Sequence, residues 1–457
     1  MRTIKQLTRR NALVAGALSY GSLSMRALLT GLPTAFLLGK SEDAWSASFD
    51  AKFLVLSHMS NGDPLNANAP GAYGNPANAN DPRHQIEHPT VAELGNKAQG
   101  FANPVNFNLG NKEVRAAQCW AELPQALLDR SGFWHHGTFT NAHPDFSIVM
   151  GLNGALKGPG GSGGDHFASF VAQENAENLG TLSKELIRVG GSAINSNGIP
   201  APRLSPASLK TIFSAKVAQF DRMVAMRDRF LDETYADIKS TGTPAQKKFL
   251  DRYATSRQEA QRLGDSLADL ITDIDGNTPE DQAKMAAALI QLKVSPVITL
   301  GMPFGGDNHQ DANLTNEVDD TLATMGALKT LWEKLNFAGI ENDVVFASMN
   351  VFGRTLLRAS NGGRDHNGSH HCLYTFGSSI KPGVIGGLET YQRRKDKIDF
   401  KAKRINSANG GTGNAADIPY EETLSAVGKT LAAAVGVADE RINQRIDGGK
   451  IITAALV

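Results

Sequence analysis

The sequence predicts an α/β fold: a doubly wound, mostly parallel sheet with helices on both faces. Three observations carry this. Short apolar runs at 52–59 (KFLVLSHM), 295–301 (SPVITLG) and 343–349 (DVVFASM) have the length and composition of buried strands. Stretches of helical periodicity alternate with them, as in chains that build parallel sheets. Each run also gives way to a loop carrying Asp, Asn or His, and open sheets place ligand chemistry beyond the C-terminal ends of their strands.

Residues 1–47 precede the first of these strands. Thr8-Arg9-Arg10-Asn11-Ala12-Leu13 resembles a twin-arginine export signal, with a paired arginine opening a mildly apolar stretch. Arg26 and Pro33 interrupt that stretch, whereas a membrane-spanning helix needs about 20 continuous apolar residues. The expectation is export to the periplasm or beyond, with cleavage near Ala44 to Ala47 and no stable membrane span in the mature form. The twin-arginine translocase would be the partner during export. That route carries proteins already folded, often around a metal or cofactor. Residues 48–457 are then expected to form one α/β domain.

Composition narrows the functional classes. With 41% hydrophobic and 20% charged residues the chain is globular. Residues 1–47 hold six basic and two acidic residues, leaving 40 basic against 44 acidic and a formal charge of −4 on the rest. A mildly acidic body has no electrostatic footprint for nucleic acid, and no polybasic patch points to a membrane surface. Two cysteines, Cys119 and Cys372, exclude a disulfide scaffold and a cysteine zinc site, leaving either one disulfide or two buried thiols.

The remaining elements follow in order. Residues 71–118, rich in Asn, Ala, Gly and Pro, read as a long loop region with short elements. A short helix is expected over 119–130, a strand over 133–140 (FWHHGTFT), a helix starting near Pro144, and a glycine-rich loop over 157–165. Residues 206–240 and 244–274 read as a helical hairpin, an insertion spanning about 206–275. In its second arm Phe249, Leu250, Tyr253, Ala260, Leu263, Leu267, Leu270 and Ile271 share one face, which signals packing and no chemistry. Thr278-Pro279-Glu280-Asp281 opens a helix to about Lys293, with Thr as cap, Pro in the first turn and acids at the positive end. Another helix spans 315–337. Beyond residue 390, the basic QRRKDK run reads as solvated surface and the alanine-rich stretch 423–436 as a packed helix.

The chemistry sits in the loops after the three strands. They are Ser60-Asn61-Gly62-Asp63-Pro64-Leu65-Asn66, Gly306-Asp307-Asn308-His309 and Gly363-Arg364-Asp365-His366, the last followed by His370 and His371. Parallel strands bring these loops to one edge, so Asp63, Asp307, His309, Asp365 and His366 are expected to converge. Mixed carboxylate and imidazole ligation suits Zn, Mn or Fe, with Mg or Ca where carboxylates dominate. Two adjacent metals would clamp both oxygens of an in-line displacement. A lone Asp-His pair carries little, since most are loop hydrogen bonds. Asp165-His166 is such a pair and reads as loop polarity or helix capping.

The segment NVFGRTLLRASNGGRDHNGSHH, continuing to IKPGVIGGLE, resembles the C-terminal signature of the domain-of-unknown-function family 1501. That family carries a phenylalanine-glycine-arginine-threonine segment, then an Asp-His pair, then a glycine-rich strand-turn. SNGDPLNANAP is similar to its glycine-Asp-x-x-Asn segment after the first strand, and GDNHQD stands where it has an Asp-x-His loop. The match runs in order over most of residues 52–390. The family resembles the alkaline phosphatase and sulfatase superfamily, which implies an alkaline phosphatase-like fold and one or two divalent metals at the strand ends. The resemblance implies Asp63, Asp307, His309, Asp365 and His366 as ligands, with His370 or His371 completing the set. It implies Arg354 as the group holding an anionic substrate oxygen, where a guanidinium suits phosphate and sulfate; the alternative for Arg354 is a salt bridge or helix-end contact.

The superfamily nucleophile follows an early strand, and the matching stretch here is Thr138-Phe139-Thr140-Asn141-Ala142-His143-Pro144. The position before His143, often Ser in the family, is Ala142. Thr140 is the nearest hydroxyl in that setting and Ser147 another, and His143 lies beside them. Of His135 and His136, strand alternation turns one toward a site; His58 reads as packed. Two functions stay open: a metal-dependent hydrolase of small anionic phosphate, sulfate or related esters, and a non-catalytic exported binding or assembly protein that keeps the fold.

Overall fold

The computed structural model describes residues 51–158, 164–196, 198–201, 203–217, 236, 240–241, 243–244, 269–394 and 397–457. They fall into two compact units: Ala47–Arg203 with Thr278–Val457, and a second that holds Leu204–Asn277. In the second unit a helix spans Pro206–Val217, and Lys210 Nζ bonds the Thr272 and Ile274 carbonyls at 2.6 Å each. Most of the expected hairpin lies outside the described residues, as do the arginine pair and the candidate cleavage site.

The first unit is built on a seven-stranded sheet. Its strands are β1 (Phe53–Ser57), β2 (Ser131–His136), β3 (Ile187–Arg188), β4 (Val297–Leu300), β5 (Val344–Ser348), β6 (His371–Gly377) and β7 (Gly383–Ile385). Their order across the sheet is β7-β2-β6-β5-β1-β4-β3. All neighbours are parallel except at β6, which runs antiparallel to both β2 and β5. The sheet is thus mainly parallel, and β1 lies between β4 and β5. The three strands picked out by apolar content are adjacent, and their C-terminal ends share one edge with the N-terminal end of β6.

Helices cover both faces, which is why the central strands are apolar throughout. Leu54, Leu56, Val345, Ala347 and Leu373 pack into one cluster with Phe167, Phe170 and Val171 of α1 (Phe167–Leu179) and Leu424, Val427 and Leu431 of α4 (Thr423–Ala434). On the other face Tyr374 meets Trp120, and Phe376 meets Trp332 of α3 (Thr315–Phe337) edge-on. Helix α2 (Pro279–Gln291) starts as its sequence dictates: Thr278 and Asp281 form a reciprocal capping box around Pro279. Helix α3 is capped by Asp311, whose carboxylate accepts from the amides of Thr315, Asn316 and Glu317 at 2.8–3.2 Å. Among the described residues no helix is long and apolar enough to cross a membrane.

Several expectations are adjusted. The strand expected over 133–140 ends at His136. From Gly137 the chain leaves the sheet, and Phe139 takes a left-handed backbone (φ 64°). The helix expected over 119–130 is split at Pro124, which lacks an amide to continue it, into Gln118–Ala121 and Gln125–Leu128. Cys119 and Cys372 are both buried free thiols, and burial pushes the Cys119 thiol up to about 12.

Candidate metal centre

The sheet edge gathers the loops after β1, β2, β4 and β5. After β2, the 3-10 turn His143–Asp145 brings His143 toward the loop after β4, where Asp307 sits. After β5, Gly353–Arg354 pairs antiparallel with His366–Asn367, which folds the Asp365-His366 dipeptide back over the edge. One ligand atom from each of His143, Asp307 and His366 lies within 4.8 Å of the others.

The orientation of these groups is set by the backbone. His143 Nδ1 bonds the Ser60 carbonyl at 2.7 Å, and His366 Nδ1 bonds the Asn141 carbonyl at 2.6 Å. A carbonyl only accepts, so each Nδ1 carries a proton, and in the neutral ring Nε2 is the nitrogen that keeps a lone pair. His143 Nε2 lies 3.7 Å from Asp307 Oδ2. Asp307 Oδ1 is held by Arg354 Nη2 at 2.8 Å and by the His309 amide at 3.3 Å. Two imidazoles and a carboxylate therefore converge, and such a set suits a divalent cation with a taste for nitrogen. Phe352 forms the floor, stacked on His366 at 4.3 Å and edge-on to His143 at 5.1 Å.

Electrostatics agree with these roles. Burial of His366 lowers its pKa against the opposing hydrogen bond to Asn141, with a smaller push downward from Arg354, which favours the neutral ring. Partial burial of Asp307 works against its charge. Arg354, the His309 amide and His143 outweigh it and hold the carboxyl below its usual range. Arg354 is fully buried, and that burial lowers its own pKa despite Asp307. The two shifts reflect exposure: Asp307 keeps 42% of its side chain in water, and Arg354 keeps none. Arg354 also donates to the Asn61 carbonyl at 2.5 Å, and its Nε is buried without a partner.

His309 and Asp365 flank the group. Their closest atoms, His309 Nδ1 and Asp365 Oδ1, are 3.8 Å apart, and the His309 ring centroid is 5.3 Å from that of His366. Asp365 is tied to Arg393 at 3.1 Å, and Arg393 also bonds the His366 carbonyl. The QRRKDK run is thus not simply solvated surface, because one of its arginines buttresses this edge.

Asp63 and His370 stand apart from the convergent group. Asp63 is fully buried. Its Oδ1 accepts from the Leu65 amide at 2.9 Å, and its Oδ2 accepts from Asn350 Nδ2 and lies 3.3 Å from His371 Nε2. His371 continues to His136 at 3.1 Å. His370 lies between His135 (2.9 Å) and Asn66 (3.1 Å), and His135 ends on the Pro70 carbonyl. Both β2 histidines are thus buried against the chain at the start of β6, His136 on His371 and His135 on the preceding His370. The Asp63 loop acts on the site indirectly, through the Ser60 and Asn61 carbonyls. Thr140 is not aimed as a nucleophile: its hydroxyl donates to Asp145 at 2.5 Å and accepts from the Ala142 amide at 3.1 Å. Ser147 Oγ pairs with His166 Nε2 at 2.9 Å, and His166 occupies the N-cap position of α1.

Compared with known proteins, the chain matches no protein-family model and no curated sequence.

Proposed function

We propose that this chain is an exported metal-dependent hydrolase of small phosphate or sulfate esters. One observation carries the reading: one ligand atom from each of His143, Asp307 and His366 lies within 4.8 Å of the others, with both rings anchored through Nδ1 on backbone carbonyls and Asp307 held by a buried arginine. The donor set fits zinc or manganese better than calcium or magnesium. A divalent cation held by His143, Asp307 and His366 would supply positive charge to an ester oxyanion. The protein's own part is to hold that cation, to place the buried Arg354 charge beside Asp307, and to brace the edge through His309, Asp365 and Arg393. The short motifs at 60–70, 306–311 and 350–371, read as a resemblance to the domain-of-unknown-function family 1501, imply the same reaction class although no family model matches the chain, and the paired arginine at residues 9–10 is the sequence feature that suggests export.

A specific observation favours a second reading, binding of an anion without turnover. Thr140, the nearest candidate hydroxyl, is committed to Asp145, and Ala142 has none. The deciding measurement is elemental analysis of protein purified without chelators, beside an Asp307→Ala, Asp365→Ala double variant. About one or two metals per chain, lost in the variant, together with turnover of phosphate or sulfate esters, is the expected result. Metal without turnover supports the binding protein. No metal in the wild-type chain sinks both metal-centred readings.

A further inference from the structure

We propose that the sheet edge at β3 holds a second anion site, separate from the candidate metal centre, in which Arg188, Arg203, Thr299 and His58 take inorganic hydrogen phosphate.

Strand register brings these residues together. Arg188 ends β3 and is the Cα partner of Thr299 on β4, and Thr299 in turn partners Leu56 on β1. Register partners share a face of the sheet, so Arg188 and Thr299 lie on the side where Leu56 packs with α1. His58 stands two residues beyond Leu56, which continues that face, and its amide still donates to the Leu300 carbonyl of β4 at 3.1 Å. Its ring reaches the loop after β3: a Cβ on Gly191 would stand 2.7 Å from His58 Cε1. Arg203 meets Arg188 in an isolated parallel bridge, and its Nε donates to the Val189 carbonyl at 3.3 Å.

The polar atoms of this cluster have no protein partner. Arg188 Nε, Thr299 Oγ1 and both ring nitrogens of His58 are buried without a hydrogen bond, and Thr299 and His58 are fully buried. Buried polar atoms are nearly always bonded, so several on one face of neighbouring strands point to a shared ligand. The cluster is also positive and unbalanced. Arg188 is half-buried and Arg203 is exposed, and among the described residues neither pairs with a carboxylate. Burial lowers the Arg188 pKa, and the Arg203 charge pushes the same way. Like charges side by side on neighbouring strands repel, and an oxyanion between them turns that repulsion into attraction.

His58 narrows the class of anion. Burial lowers its pKa to about 3, with smaller pushes from His166 and Arg188, so the ring is neutral at physiological pH. A neutral imidazole offers one N–H and one lone pair, and its partner must therefore accept one bond and donate another. Hydrogen phosphate carries an O–H beside its acceptor oxygens. Sulfate at neutral pH carries acceptors only. The cluster thus distinguishes two tetrahedral anions of similar size and charge.

The test is calorimetric titration of the full chain and of its Asp307→Ala variant with inorganic phosphate and with sulfate. Asp307→Ala removes a ligand of the candidate metal centre, so phosphate binding that survives it belongs elsewhere, and survival is expected. Adding Arg188→Met or Arg203→Met to that variant should weaken phosphate about tenfold, the effect of losing a hydrogen bond from a charged group. Arg203 is exposed, so its replacement leaves the core intact. Sulfate should bind roughly tenfold more weakly than phosphate, and adding His58→Leu should level the two. Absence of phosphate binding in Asp307→Ala overturns the proposal, as does binding that neither arginine replacement weakens. Equal affinity for phosphate and sulfate in the Asp307→Ala chain overturns the role of His58 and with it the assignment to hydrogen phosphate. None of these results bears on the hydrolase reading, because each deciding titration is made without Asp307.

Discussion

Arg354 donates from Nη2 to Asp307 Oδ1 at 2.8 Å, and through this bond a fully buried guanidinium shares its carboxylate with the candidate metal centre. The contact does two things. It fixes the Asp307 rotamer so that Oδ2 remains for a cation near His143 Nε2, and it places a second positive group beside that cation. The buried guanidinium would then act on an incoming anion through its field, not through direct bonds.

Replacing Arg354 should therefore separate metal binding from anion binding. Arg354→Met keeps length and apolar bulk over Phe352, whose ring lies 5.4 Å from the guanidinium carbon. Removing the neighbouring charge relieves repulsion of a cation, so zinc content should be retained. Inorganic phosphate should bind roughly tenfold more weakly, as expected on removing a buried positive charge close to the anion. Metal analysis and phosphate titration on one preparation check this. Loss of zinc along with phosphate would mean that Arg354 chiefly positions Asp307.

Asp399 gives a pH prediction away from the site. Its carboxyl is 1% exposed, accepts from the Leu356 and Phe400 amides, and has a buried Oδ2 with no partner. Burial raises its pKa from 3.8 to about 6. A carboxyl raised on folding contributes stability that is fully present below pH 3.8 and lost as pH climbs through about 6. Above that pH the ionised group costs roughly 1–3 kcal/mol. Asp399→Asn should then be more stable than wild type by about that amount at pH 7.5, and the gain should shrink steadily toward pH 4.5. Urea unfolding at several pH values measures it. A gain independent of pH would show that the charge is not its source.

Elements whose side chains carry a local pattern are legible in the sequence, and those fixed by remote partners are not. Strands β1, β4 and β5 are buried on both faces, so their apolar runs stand out, and Thr278 and Asp281 mark α2 through local capping alone. Strand β6 does not stand out, because its HCLYTFG begins with the histidine that bonds His136 and reads as part of a polar loop. Two-residue β3 is too short to show a period. At the site, Asp307, His309, Asp365 and His366 are legible because strand-end loops carry them, and the stretch after β2 pointed to His143. Asp63 shares that signal yet is drawn inward by Asn350 and His371, partners remote in sequence. Arg393 comes from a hairpin strand, Leu388–Arg394, whose basic run has the look of ordinary surface.

Glu317 and Arg364 form the one carboxylate–guanidinium pair among the described residues with both side chains fully buried. Arg364 Nε and Nη2 reach the two carboxylate oxygens at 2.6 and 3.1 Å, and Asn308 adds a bond at 2.9 Å. Further bonds to the Thr355, Leu356 and Glu87 carbonyls fasten the loop before Asp365 to α3. Breaking such a pair strands a charge in the interior, which costs about 3–5 kcal/mol. Arg364→Met and Glu317→Gln should each lower unfolding free energy by that order, whereas the double variant Glu317→Leu, Arg364→Met should recover part of it. Both singles should also reduce zinc affinity, since the loop they release carries Asp365 and His366. A single variant of unchanged stability would mean that water reaches the pair.

His58 yields the last prediction. It follows the last residue of β1 and is fully buried, with both ring nitrogens unpartnered, and lies 5.5 Å from the Phe146 ring. Burial lowers its pKa from 6.5 to about 3, with smaller pushes the same way from His166 and Arg188. A histidine depressed on folding contributes stability that is complete above pH 6.5 and lost as pH falls toward 3. An unsatisfied polar group in the core costs about 1–3 kcal/mol even when neutral. His58→Phe and His58→Leu should therefore both flatten the fall in stability between pH 6.5 and 4.5. At least one should also stabilise the protein at pH 7.5. The phenylalanine keeps the ring shape against Phe146. The leucine covers the case in which Gly191, close beside Cε1, leaves no room for a larger ring. Guanidinium unfolding of the three proteins across that pH range decides the matter. Two variants both less stable than wild type at pH 7.5, with unchanged pH slopes, would mean that the imidazole nitrogens are hydrogen-bonded in solution and that His58 belongs to a hydrated polar network.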